Sequence, residues 1–353
     1  MSELPSPRLL SLFKCVTLLF LKTFEAQALN LLLRAMRVQT TMHTQKIILP
    51  GGAGLVGQNL VVRLKAKGYT KIVVLDKHRA NLSILKELNP DVTTEYADLS
   101  KPSDWRRHFE DSEVVIMLQA QIGGNNYQEF VHNNVDSTRL ILDAIKTYNV
   151  PYLVHISSSV VESVANDFYT HTKKEQEKIV LTSGIPCTVL HPTLMFGWFD
   201  RKHLGWLSRF MQKVPVFPIP GHGRYIRQPL YVGDFCNIII SCIENHVRDG
   251  VYNISGHEQV DYINIIREIK RLTRTRTPIV PIPFKLFHAL LWMWSLFDKN
   301  PPFTTQQLVA LSAKETFEVI DWPGIFGVCH TPFQQAMEET FNDPRYSKIV
   351  LEF

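Results

Sequence analysis

Two kinds of side chain fall together in one stretch of the chain in a pattern that can move a proton and steady an oxygen. Tyr169 and Lys173 are four residues apart, the spacing that places two side chains on one face of a helix, one turn from each other. An ammonium beside a phenol favours the phenolate and lowers the tyrosine pKa, which makes the phenol a usable proton donor or acceptor near neutrality. Ser157, Ser158 and Ser159 stand a short way upstream, and a hydroxyl there can hold a carbonyl or alcohol oxygen beside the pair. The same spacing also fits a surface Tyr-Lys pair, so the chemistry depends on what accompanies it.

A dinucleotide cradle accompanies it. Residues 46–57 read KIILPGGAGLVG, a strand followed by Gly51, Gly54 and Gly57 at three-residue intervals and by Leu55 and Val56 at the start of a helix. The first glycine permits a sharp turn, the second lets the backbone approach a pyrophosphate, and the third lets helix and strand pack closely. The helix start offers its free N–H groups to the anion. Leu60, Val61 and Leu64 continue one apolar side, Gly68 ends the helix, and a second strand, KIVVL, ends at Asp76. An acid there is placed to accept hydrogen bonds from ribose hydroxyls. Lys77 and Arg79 could accept the extra phosphate of NADP, so NAD is the favoured cofactor and NADP the alternative.

Strands and helices alternate onward from Asp76. The pattern predicts a helix over 81–88, a strand over 92–96, a strand over 113–118, a helix over 126–147 and a strand over 152–156. Asp167 is placed to cap a helix running to about Thr182, which Gly184 and Pro186 stop. Such alternation predicts an α/β fold: a Rossmann-type doubly wound parallel sheet with a smaller C-terminal substrate lobe. The divisions are an N-terminal extension over 1–45, a cofactor-binding domain over 46–190, and a mainly substrate-binding lobe over 191–353, with some segments returning to the Rossmann core. Helices are expected near 203–213, over 261–272 and in the closing TPFQQAMEETF.

With these motifs in order, the chain resembles the extended short-chain dehydrogenase/reductase superfamily, the NAD-dependent epimerase/dehydratase family. The resemblance rests on GGAGLVG, Asp76, Ala97-Asp98-Leu99, the segment Asn134–Thr138, Ile156-Ser157-Ser158, Tyr169 with Lys173, His191-Pro192-Thr193, the segment Arg227–Asp234 and the segment Val251–Ser255. It covers roughly residues 46–260. It implies that Asp98 and Leu99 contact the adenine, that Gln119, Ala120, His191 and Pro192 border the cofactor, and that Lys173 also holds the nicotinamide ribose. Tyr169 is then the acid/base, Ser158 or, with a one-residue slip, Ser159 orients the substrate oxygen, and Arg227 stands where a nucleotide-sugar phosphate is bound. A homodimer is a family-level expectation.

The chain departs from that family in three places. Only nine residues separate Ser159 from Tyr169, where members acting on nucleotide sugars carry a longer loop. The usual Arg before the proline is His191, and the usual Ala-Ala after the fourth strand is Gln119-Ala120. A second phosphate-binding arginine is not evident. The leading reading is an NAD(P)-dependent epimerase, dehydratase or reductase acting on a nucleotide sugar or related hydroxy/keto metabolite. A dehydrogenase or reductase of a sterol or isoprenoid alcohol or ketone is the alternative, and a non-catalytic cofactor-binding scaffold the third.

Composition bounds the rest. The 353 residues, 45% hydrophobic and 20% charged, are ordinary for a soluble enzyme. Most of the net charge of +5 lies in residues 1–45, where Arg8, Lys14, Lys22, Arg34 and Arg37 face only Glu3 and Glu25. No basic stripe with interleaved aromatics follows, which argues against nucleic acid as a partner. Cys15, Cys187, Cys236, Cys242 and Cys329 form no CxxC pair and the 13 histidines no ligand pattern, so no metal is expected, the thiols read as reduced, and the compartment as cytoplasmic. The apolar run 9–21 is too short for the roughly 20 residues of a membrane helix. It reads as a signal peptide ending at Ala26-Gln27-Ala28, a transit peptide or an interfacial helix, while Met42 before the first strand favours an upstream extension with no role in the fold. A second apolar run, FKLFHALLWMWSLF over 284–297, is read as a core helix of the lobe in preference to a peripheral membrane contact or a lipid-pocket wall.

Overall fold

The computed structural model describes residues 43–165, 167–245, 250–297 and 318–352, together with 305, 308 and 311; the readings of residues 1–41 lie outside the described residues. The first half of the central layer is β1 (His43–Pro50), α1 (Leu55–Ala66), β2 (Tyr69–Asp76), α2 (Arg79–Leu88) and β3 (Thr93–Tyr96). The second half is β4 (Val114–Met117), α3, β5 (Tyr152–Ile156), α4 (Phe168–Leu181) and β6 (Cys187–Pro192). Helix α3 is built of α-helical Tyr127–Phe130, π-helical Val131–Asp136 and α-helical Ser137–Thr147. The chain then forms β7 (Met195–Phe196), α5 (Leu204–Lys213), β8 (Phe217–Pro220), β9 (Ile226–Arg227) and β10 (Leu230–Tyr231). It returns to the central layer with α6 (Val232–Asn245) and β11 (Gly250–Ile254). After β12 (Val260–Asp261) come α7 (Tyr262–Thr273), β13 (Ile279–Ile282), α8 (Phe284–Ser295), α9 (Trp322–Phe326) and α10 (Phe333–Asn342).

Seven strands make one sheet in the order β11-β6-β5-β4-β1-β2-β3, and the pairs β11–β6, β6–β5, β5–β4, β4–β1 and β2–β3 are parallel. Parallel strands are buried on both faces, so they read as continuous apolar runs. Ile47 and Leu49 of β1, Val74 of β2 and Val154 of β5 join one core cluster, while Ile48, Val73, Leu75 and Leu153 join the cluster on the opposite face. The first face is covered by Leu60, Val61 and Leu64 of α1 and by Phe235, Ile238, Ile239 and Ile243 of α6. The second is covered by Ile141, Leu142 and Ile145 of α3, with Trp105 and Phe109. Strand order reverses between β1 and β4, the point at which an open α/β sheet leaves a crevice for ligand. A third cluster, including Met211, Phe217, Ile266 and Met337, forms the smaller lobe.

The expectation for 284–297 fails on burial. Phe287 is buried, but Leu286, Leu290, Trp292, Met293, Trp294, Leu296 and Phe297 are all exposed. The helix is present and the core it was to join is not, because only its Phe284, Phe287, His288 and Leu291 side turns inward.

The turn from β1 into α1 is set by close approaches. Gly51 has φ +75°, and a Cβ there would sit 2.4 Å from the backbone of Gln119. A Cβ on Gly57 would lie 2.1 Å from the Gly52 carbonyl oxygen, whereas one on Gly54 would meet nothing nearer than 3.8 Å. Gly57→Ala is therefore expected to lower stability by about 1–3 kcal/mol through overpacking. Gly54→Ala, at an ordinary φ of −82°, is expected to cost under about 1 kcal/mol, the scale of a helix N-cap change. Thermal unfolding of both variants checks this; equal Tm losses would contradict it.

Candidate active site

The crevice is a cleft of about 470 Å³ whose wall contains Gly51, Gly54, Leu55, Val56, Gly57, Asp76, Leu99, Gln119, Ala120, Ser158, Ser159, Tyr169 and Pro192. Four residues singled out from the sequence stand elsewhere. Asp98 accepts hydrogen bonds from the backbone N–H and hydroxyl of Ser100 and pairs with Lys101 at 3.2 Å. Lys173 and His191 lie behind the wall, and Arg227 donates to the carbonyl oxygens of Ile226 and Leu311.

The cradle fits a dinucleotide on three observations. Helix α1 has no side-chain cap and no acid in its first turn, which leaves its N-terminal N–H groups for an anion. The space at Gly54 is open. Buried oxygens without a partner remain at Gln119 Oε1 and Thr193 Oγ1, both on residues of the cleft wall. Asp76 is fixed at the end of β2 by the N–H groups of Ala53 and His78, each at 3.0 Å, and its carboxylate keeps further acceptor capacity. Lys77 donates to Asn133 Oδ1 at 2.8 Å, and the Arg79 guanidinium stacks 3.7 Å over the Tyr96 ring. Both cations that could take an NADP phosphate are thus engaged, and the acid beside them suits ribose hydroxyls.

Asp167 caps the helix that bears Tyr169. Its carboxylate accepts from the Thr170 N–H at 2.9 Å and the Thr170 hydroxyl at 2.8 Å, capping α4. Tyr169 therefore stands in the first turn, and it lines the cleft together with Ser158. Ser159 instead opens the short 3-10 turn Ser159–Glu162. Burial pushes the Tyr169 pKa up, and the nearby Ser158 hydroxyl only partly opposes this. The sequence argument anticipated a lowered value. The reason for the difference is where the ammonium points: Lys173, 0% exposed, donates to Ile156 O at 3.1 Å and Gln176 Oε1 at 2.5 Å. Burial lowers the Lys173 pKa to about 7, with Glu177 acting in the other direction.

Behind this pair runs a buried polar network that motif reading misses. Gln176 Nε2 donates to Thr138 Oγ1 at 2.9 Å, Gln119 Nε2 donates to the same oxygen at 3.2 Å, and the Thr138 hydroxyl donates to Asn134 O at 2.7 Å. Asn134 accepts from the Gln121 N–H and donates to Thr172 Oγ1. The π-helical turn at 131–136 presents Asn134 to both, consistent with the frequent placement of π-bulges at functional sites. Glu177 accepts the Ser157 hydroxyl and lies 2.7 Å from His191 Nε2, while His191 Nδ1 meets Asn253 Oδ1 at 2.9 Å. Burial alone would raise the Glu177 carboxyl; the hydrogen bonds from His191 and Ser157 outweigh it and hold the carboxyl below its usual range. Its signal in the sequence is the continued four-residue spacing Tyr169, Lys173, Glu177. His155, buried in β5 without a partner on either nitrogen, is kept neutral by burial and by the charges of Lys173 and His191. His171 pairs with the Tyr127 hydroxyl at 2.9 Å.

The cations on the cleft wall are Lys77, Arg201 and Lys202. Burial lowers the pKa of Arg201 and of Lys202, and the charge of Arg201 adds to the effect at Lys202. They sit on the turn after Phe199, which packs with Trp198, Tyr346 and Leu351 against Leu55. The 199–203 turn is thereby held beside the α1 N-terminus.

Comparison with known proteins agrees with this architecture. The chain is 21% identical over 270 residues to the UDP-N-acetyl-alpha-D-glucosaminuronate decarboxylase of Bacillus cytotoxicus, covering 68% of this chain and 84% of that one. It is 25% identical over 295 residues to subunit 9 of the NADH dehydrogenase (ubiquinone) 1 alpha subcomplex of Rattus norvegicus, covering 80% and 76%. Among solved structures, the UDP-glucuronic acid 4-epimerase of Bacillus cereus in complex with UDP-glucuronic acid and NAD superimposes with a TM-score of 0.66 at 20% identity, covering 84% of this chain and 98% of that one. The family model described as "NAD dependent epimerase/dehydratase family" matches residues 47–255, more than half of the chain. With its parallel sheet and glycine cradle, the chain belongs to that family, of the extended short-chain dehydrogenase/reductase type.

Proposed function

We propose that the protein is an NAD-dependent epimerase, dehydratase or reductase that acts on a nucleotide sugar or a related hydroxy/keto metabolite. The observation that carries this reading is that Ser158 and Tyr169 line the same cleft as the Gly51–Gly57 cradle. Bound NAD supplies a hydride acceptor and donor. Ser158 holds the substrate oxygen, and Tyr169 gives or takes the proton at that oxygen. With its pKa raised, the Tyr169 phenol is protonated at neutral pH, so it is poised as a donor until a cation turns toward it. Lys173 is the cation one helical turn away. Arg201 and Lys202 are the groups suited to phosphate, from cofactor or substrate. Arg227, which the resemblance put in that role, is not among the residues of the cleft wall.

A second reading, a cofactor-binding scaffold without turnover, draws on the likeness to the rat NADH dehydrogenase subunit. Tyr169→Phe separates the two. Assayed with a panel of UDP- and dTDP-sugars, it is expected to lose at least about 100-fold in kcat, the scale of a general acid/base, while NADH affinity is retained. Wild-type protein that binds NADH and turns over no member of the panel would favour the scaffold. Alanine at both Arg201 and Lys202 is expected to weaken NADH or UDP-sugar binding about tenfold or more, since charge-assisted hydrogen bonds each contribute about 1.5–3 kcal/mol. Fluorescence titration checks this, with Arg227→Ala expected to leave NADH affinity unchanged.

Lys173 also gives stability a pH dependence. The unfolded chain holds this proton up to the ordinary value of 10.5 and the folded protein only to about 7. Between those values the unfolded state binds more protons, so this group's contribution to stability rises with pH. The Tm of wild type relative to Lys173→Met is accordingly expected to increase from pH 7 to pH 10; a difference that stays flat or falls counts against the buried, low-pKa ammonium.

A further inference from the structure

Helix α8 turns an apolar face outward. Its Phe284, Phe287, His288 and Leu291 side is the more buried one, and Leu286, Leu290, Met293 and Phe297 follow helical spacing on an exposed side. Trp292 is 58% exposed and Phe297 87%. A surface helix of a globular protein presents polar residues there; among its described side chains α8 exposes one polar residue, Lys285, at its first turn. Exposed apolar areas of this size mark an interaction site.

The charge of the chain that leads into the helix points to the occupant. From Ile269 to Phe297 the chain holds Lys270, Arg271, Arg274, Arg276 and Lys285 and not one Asp or Glu. Arg271 is committed to Glu268 and Glu338, whereas Arg274, Arg276 and Lys285 are exposed. Tryptophans with an apolar body and a polar N–H, flanked by cations, match the headgroup level of an anionic bilayer. A second copy of the chain would bring like charges together, which disfavours self-association through this face. At 12 residues α8 is too short to span, and no helix among the described residues is long and apolar enough to cross a membrane.

We propose that α8 docks the protein on an anionic phospholipid surface, lying in the headgroup plane with Trp292, Trp294 and Phe297 inserted and Arg274, Arg276 and Lys285 facing lipid phosphates. The proposal is independent of the reaction catalysed. The test is co-sedimentation of the full chain with vesicles of phosphatidylcholine alone or mixed equally with phosphatidylglycerol. Wild type is expected to bind the mixed vesicles with a blue shift of tryptophan emission, and at least about tenfold more weakly to phosphatidylcholine alone. The pair Trp292→Ser with Trp294→Ser, and separately Arg276→Glu with Lys285→Glu, are expected each to weaken binding about tenfold or more, with NADH affinity and circular dichroism unchanged. Three outcomes overturn the proposal. Wild type does not bind mixed vesicles; the variants bind as wild type does, which assigns binding to another segment; or the tryptophan pair changes only the oligomeric mass, which makes the face a contact between copies.

Discussion

The carboxylate of Glu177 receives the Ser157 hydroxyl from the end of β5 and faces the His191 ring from the start of the β6 exit, while its own backbone belongs to α4. Two neighbouring strand ends and the helix bearing Tyr169 and Lys173 are therefore tied at one point. Ser158 follows Ser157 directly, so its hydroxyl can meet the Tyr169 phenol only if β5 and α4 keep this relation. The pair is largely buried, with side-chain exposures of 4% for His191 and 14% for Glu177. At that depth a carboxylate left without its partner costs about 3–5 kcal/mol, which makes the tie a condition for the site's geometry and not a decoration of it.

His191 gives this tie a character that an arginine would not. Asn253 donates its amide N–H to Glu162 at 2.8 Å, so its oxygen faces His191 and fixes a proton on Nδ1. The other nitrogen faces Glu177 Oε2 at 2.7 Å. An arginine would bring a rigid fork of five N–H donors, whereas the imidazole offers one nitrogen to each of its two partners. The departure from the family pattern visible in the sequence thus falls at the joint between the two strands and the helix that bears Tyr169.

Much of the fold was legible because its rules are local. Alternating apolar runs and helical faces located β1, β2, β5 and α4, and the Asp167 cap and the Gly51–Gly57 spacing placed the two halves of the site. What escaped reading depends on burial and distance. Helix α6 is buried nearly all round, so apolar residues circle it and no amphipathic period announces it. The π-helical turn in α3 shifts Asn134 by a geometry that sequence period does not encode. Arg227 matched a motif position, but the direction of its guanidinium is decided by carbonyls 226 and 311, the second far along the chain. For α8 the sequence gives hydrophobicity, while the side facing solvent is a property of packing.

The same distinction explains the ammonium. Spacing placed Lys173 one turn from Tyr169 and suggested that its charge reaches the phenol, yet the buried amine turns to Ile156 O and Gln176. A buried cation seeks acceptors first, since leaving it unsolvated costs more than a favourable interaction with a neutral phenol returns. Gln176 is joined through Thr138 to Gln119 on the cleft wall. Three hydrogen bonds therefore separate the wall from Lys173, and Gln119 Oε1 has no partner of its own. Burial lowers the Lys173 pKa and raises that of Tyr169, and the parked position leaves the phenol without the ammonium that its spacing promised.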